Sequence, residues 1–148
     1  DAGQPYDTAG LADLVERLRR HPSRTGRLRE ALGAHPEVVC AYLFGSVERG
    51  ESGPASDVDV AVILREPVPE RPFGYEAALS SELGAALGRS DVDIVRLDRA
   101  PPLLAQRVLR DGVLLLCRAE SARIEFEVAT RRRYFDTRPL REIQYRYL

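Results

Sequence analysis

"LFGSVERGESGPASDVDVAVIL", from Leu43 to Leu64, decides the fold. Its second half is a hydrophobic run that carries two carboxylates, Asp57 and Asp59. A carboxylate taken out of water without a partner costs roughly 1–3 kcal/mol by mutational measures, and more if it stays ionised. Something must compensate. In a strand, residues i and i+2 point to the same face. Asp57 and Asp59 therefore share one face, and Val58, Val60 and Val62 pack on the other. Two carboxylates about 6–7 Å apart along a strand repel each other. A divalent cation would neutralise both. Hard oxygen donors suit Mg²⁺, which keeps waters and substrate phosphates in its shell. For an isolated D-x-D, solvated acids at a strand edge are the plain alternative.

Upstream, Gly45 to Ser52 nearly matches the phosphate-binding pattern G-x-x-x-x-G-K-[S/T], but Glu51 stands at the lysine position. That loop needs its lysine to hold the β- and γ-phosphates. All 22 basic residues of this chain are arginine, so the pattern is rejected. What remains is a strand ending in Gly45-Ser46. Glycine allows a phosphate to approach the backbone closely. A serine can cap the following turn, whose free N–H groups form an anion site. Arg49 adds a possible charge-assisted bond.

A third carboxylate, Asp93, lies between Val92 and Ile94 in "DVDIVRL". If its strand neighbours the first, Asp93 reaches the same metals. Asp91 shares its face but sits at the strand start, where capping or solvent explains it. Three carboxylates from two strands can hold two metals, which clamp attacking and leaving oxygens in a displacement at phosphorus. A salt bridge to an arginine is the lesser alternative for Asp93.

Around these motifs, helices and strands alternate. Leu11, Leu14, Val15 and Leu18, with Thr8 as N-cap and Pro22 beyond the end, predict a helix over 8–20. A second helix is expected over 24–34. Strands are expected at Val38–Phe44, Asp57–Leu64, Asp91–Leu97 and Val113–Cys117. Residues 48–55 read as a short turn and loop, and Pro67, Pro69 and Pro72 as a connection. Further helices are expected at Tyr75–Leu87, ending near Gly88, at 103–111 with Gly112 at its end, and at 120–135. A polar, arginine-rich tail follows. The class is α/β, with a mixed or largely parallel sheet of about four strands and helices on one or both faces. The 148 residues suit a single domain, 1–148, with its core over about 38–118 and the C-terminal helix and tail over 120–148.

A net charge of -1 offers no whole-chain argument for nucleic-acid binding. No apolar run approaches a membrane span and no signal-peptide pattern is present, so a cytoplasmic location is expected. Cys40 and Cys117 match no metal spacing and read as small buried hydrophobes. His21 and His35 each precede a proline at a helix end, where capping or solvent exposure accounts for them. Arg131, Arg132 and Arg133 read as a solvated helix end. Tyr134, Phe135, Tyr145 and Tyr147 suit either docking onto a partner or completing the domain's own core.

The joint pattern is a strand, "FGS", then "DVDV" on a strand, then "VDI" on another. It resembles the DNA polymerase β-like nucleotidyltransferase superfamily, whose signature is hG[GS], [DE]h[DE]h and a later h[DE]h. The short loop between the first two elements is most similar to the minimal nucleotidyltransferases (MNT), the antitoxin partners of HEPN toxins. The resemblance covers roughly residues 38–118. It implies a polymerase β-like fold in which Gly45 and Ser46 bind a triphosphate. Asp57 and Asp59 would bind Mg²⁺, and Asp93 would be the third metal-site carboxylate, activating an acceptor hydroxyl. The implied substrate is ATP, with two Mg²⁺ ions. The implied reaction transfers AMP to a tyrosine of a HEPN ribonuclease partner, releasing pyrophosphate. A purely steric antitoxin and a small-molecule, aminoglycoside-type nucleotidyltransferase are the alternatives. Neither a membrane nor direct nucleic acid binding is expected.

Overall fold

Val58, Val60 and Val62 are fully enclosed on one side of their strand, and Ala61 and Ile63 are buried on the other. A strand buried on both faces requires cover on both, and helices supply it. The computed structural model describes residues 24–45 and 58–146, with side chains over 25–45 and 58–139. The predicted helix over 8–20, with His21, and the predicted loop over 48–55 lie outside the described residues.

In chain order the elements are α1 (Arg24–Gly33), β1 (Val38–Phe44), β2 (Val58–Leu64), α2 (Tyr75–Leu87), β3 (Val92–Arg96), a 3-10 turn (Leu97–Arg99), α3 (Pro102–Asp111), β4 (Val113–Cys117) and α4 (Glu120–Arg146). The four strands form one sheet in the order β3-β2-β1-β4. Strand β1 is antiparallel to both its neighbours, and only β2 and β3 run parallel. The sheet is therefore mixed, and the largely parallel alternative is corrected. Parallel neighbours need a long crossover, which α2 provides between β2 and β3; antiparallel neighbours do not.

Leu28 and Leu32 of α1 and Leu79 and Leu83 of α2 pack with Val38, Val58, Val60, Val62 and Val92 on one face. Ala105 and Val108 of α3 and Ala122 and Phe126 of α4 pack with Tyr42, Ala61 and Ile63 on the other. Helix α2 stops at Gly88, which takes the left-handed conformation at φ 68°. Helix α3 begins at Pro102, where a missing N–H costs nothing. No described helix is long and apolar enough to cross a membrane.

The tail departs from expectation. Helix α4 runs for 27 residues, through Pro139, where a tail was expected beyond 135. Polarity misleads here, because arginine, glutamate, leucine and glutamine are all good helix formers. Cys40 and Cys117 face each other across β1 and β4 with Sγ–Sγ 3.5 Å. Both are free thiols, Cys40 buried and Cys117 half-buried. Burial pushes the Cys40 thiol up to about 12, so it behaves as the expected hydrophobe.

His35 is buried, so solvent exposure does not account for it. Its Nε2 lies 2.5 Å from Glu82 of α2 and its Nδ1 3.5 Å from Glu37. The Tyr75 hydroxyl donates to Glu37 at 2.8 Å. Burial alone would raise the Glu37 carboxyl. A backbone hydrogen bond, the Tyr75 hydroxyl and His35 together outweigh it and lower the pKa. A carboxyl lowered in the folded state stabilises the fold above its unfolded value of 4.5, and this is lost as pH falls through the folded value. As pH falls from 4.5 toward the folded value, urea unfolding midpoints should therefore drop more steeply for the parent than for Glu37→Gln.

Candidate active site

The two strands that carry the candidate acids are neighbours, and their register sets Asp59 directly beside Asp93. In a parallel pair, partners in register project from the same face. Val58 and Val60, which flank Asp59, and Val92, which precedes Asp93, belong to the core under α1 and α2, and Ile94 packs against it. Both carboxylates therefore stand on the opposite face. Asp59 is half-buried and Asp93 exposed. Two anions on adjacent strands repel, and such a pair is destabilising unless a cation joins it.

Gly45 completes the described part of the site. Phe44, the last residue of β1, pairs with Asp59 across the sheet. The next residue, Gly45, turns the chain at φ 85°. A Cβ built there would stand 2.6 Å from Asp59 Oδ2, closer than real side chains come. The glycine thus does two things: it takes a conformation side chains avoid, and it leaves room for the Asp59 carboxylate. Sequence reasoning assigned Gly45 to phosphate and missed the second task. The signal was present in the antiparallel pairing of β1 and β2, but their register was not legible.

Asp91, by contrast, is held by Arg89, whose Nε donates at 2.5 Å and whose second nitrogen also reaches it. Capping or solvent was the expectation for Asp91; the ion pair to Arg89 accounts for it instead. Among the described residues Asp93 has no ion-pair partner. Ser46, Arg49 and Asp57 lie outside the described residues, so of the predicted site the structure brings together Gly45, Asp59 and Asp93. Among the described residues no group of three or more metal-ligating side chains forms. Asp59 and Asp93 are nevertheless hard oxygen donors in adjacent positions, open on one side, and they fit a divalent cation that draws its remaining ligands from elsewhere.

Helix α4 is tied to β1, the strand that leads into Gly45. Tyr42 of β1 donates to Glu127 at 3.4 Å, and Glu127 accepts from Arg123 at 2.7 Å. Burial pushes the Tyr42 hydroxyl up, and the Glu127 charge adds to it. The hydroxyl stays protonated and serves as a strut.

A family model described as polymerase beta, nucleotidyltransferase, matches residues 27–121. The protein adenylyltransferase MntA of Shewanella oneidensis is 36% identical over 77 residues, 52% of this chain and 52% of that protein. The matched stretch thus spans about half the length of that curated relative. Among solved structures, a toxin–antitoxin crystal structure with AMP-PNP is similar at a TM-score of 0.69 and 27% identity, over 82% of this chain and 94% of that one. A rebuilt structure of a tri-AMPylated Shewanella oneidensis HEPN toxin in complex with MNT antitoxin is similar at 0.63 and 25%, over 82% and 92%.

Proposed function

The chain belongs to the polymerase beta nucleotidyltransferase family, whose members act on nucleotides, and from that membership we propose that it is an Mg²⁺-dependent protein adenylyltransferase. It takes AMP from ATP and places it on a hydroxyl, a tyrosine, of a HEPN-type ribonuclease toxin, and so acts as the antitoxin in the cytoplasm. The relatives that carry an adenylyltransferase name, an AMP-PNP ligand and an AMPylated HEPN partner support this reading. The observation that carries it is the register of Asp59 beside Asp93, with Gly45 shaped around the Asp59 carboxylate.

In this proposal Asp57, Asp59 and Asp93 hold two Mg²⁺ ions. Bound there, the metal supplies charge neutralisation and Lewis-acid polarisation at the phosphates. Gly45 and Ser46 cradle the triphosphate with backbone and hydroxyl donors, and Arg49 adds a cation. Asp93 accepts the proton of the acceptor hydroxyl. That oxygen bonds to the α-phosphorus, the bond from the α-phosphorus to the bridging oxygen breaks, and pyrophosphate leaves. Positioning of the acceptor in line accounts for much of the acceleration.

The test is neutralisation of the partner's toxicity in cells. The double variant Asp57→Asn with Asp59→Asn should bind its partner but fail to silence it. Full neutralisation by the double variant would mean that masking, rather than chemistry, is the mechanism.

A further inference from the structure

Helix α4 has two unlike faces. Ala122 and Phe126 pack on the sheet, Thr130 is fully buried, and Arg123 and Glu127 tie the helix to Tyr42. The outward face carries Ile124, Val128 and Phe135, exposed by 49%, 46% and 58%. Spaced at i, i+4 and i+11, they fall on one stripe. Arg131 and Arg132, both exposed, sit in the middle of that stripe. Neither has an acidic partner among the described residues. Between Arg131 and Arg138 there are four arginines and one acid, Asp136. At 27 residues the helix is about 40 Å long, and beyond Thr130 only Tyr134 and Thr137 of its described side chains are half-buried. Little of the described domain lies against this half of the helix, and helices in proteins draw most of their stability from packing.

We infer that this outward face of α4 is a docking surface for the partner protein proposed above, and that the partner presents apolar side chains flanked by carboxylates. The inference rests on that reading. Charge selects the occupant. A second copy of this chain, laid antiparallel with Val128 against Phe135, would bring Arg131 against Arg132 at the symmetry axis. Four guanidinium groups would then meet at the centre, and like charges in contact are rejected. An acidic partner meets the same surface with complementary charge, while Ile124, Val128 and Phe135 supply apolar anchors.

The probe is the full-length HEPN-type partner protein proposed above. Val128→Asp with Phe135→Asp should weaken its binding by about 30-fold or more, the scale of losing two interface anchors. Arg131→Glu with Arg132→Glu should weaken it by about tenfold and flatten its salt dependence. All four residues are exposed, so both variants should keep the parent's thermal midpoint and its affinity for ATP with Mg²⁺. Two results would overturn the inference. One is both variants binding the partner as the parent does. The other is a parent homodimer in sedimentation that Val128→Asp with Phe135→Asp abolishes. A parent that binds the partner through this face yet transfers no AMP to it would instead refute the adenylyltransferase reading and leave the docking surface standing.

Discussion

Asp59→Asn should leave a folded protein whose AMP transfer is slower by about 10³-fold or more, a loss of roughly 4 kcal/mol of transition-state stabilisation. The substitution is nearly isosteric. It removes one of two carboxylates that stand side by side on β2 and β3, and half of the described ligand set goes with it. The same change should also blunt the response of stability to Mg²⁺. In excess Mg²⁺ the parent should gain stability and the variant should gain less. A site built for packing alone would show no such divergence. Calorimetry with and without Mg²⁺, beside a transfer assay, reads both quantities on one preparation.

Gly45→Val is the second large effect. The φ of 85° places a branched residue in a strained conformation, which costs roughly 1–3 kcal/mol. The Cβ then meets Asp59 Oδ2 at 2.6 Å, and one of the two must move. A displacement of about 1 Å in a reacting group costs on the order of a hundredfold in rate. The variant should therefore unfold at lower denaturant, and the folded fraction should transfer AMP about a hundredfold more slowly. Gly45→Ala should show the same pattern in weaker form. If either variant loses stability but keeps full transfer per folded molecule, Gly45 is a turn residue only.

The strands were the most legible part of the chain. The bounds of β1 and β4 agree with expectation, because continuous apolar runs closed by glycine, proline or charge leave little choice. Helix α2 was equally plain, with Gly88 as its stop. The separation of Val58, Val60 and Val62 from Asp59 follows from the two-residue period alone. Pairing was harder. Alternating helices and strands suit a parallel sheet, but β1 lies antiparallel to both neighbours, and nothing local to β1 encodes that. His35 was misjudged for a related reason, since one of its two carboxylates, Glu82, comes from a distant helix. The α4 tail was misread because polar composition resembles a solvated tail, whereas period and propensity favour a helix. Within the site, Asp59 and Asp93 stood out in the sequence by their apolar neighbours, and the register sets them side by side. The space that Gly45 yields to Asp59 was not legible, because it depends on cross-strand register.

The most direct measurement is transfer of label from ATP labelled at the α-phosphate, with Mg²⁺, to the HEPN-type partner and to a panel of aminoglycosides. The account predicts label on a tyrosine of the partner, dependent on Mg²⁺ and lost in Asp59→Asn. Label on an aminoglycoside with none on protein would contradict it.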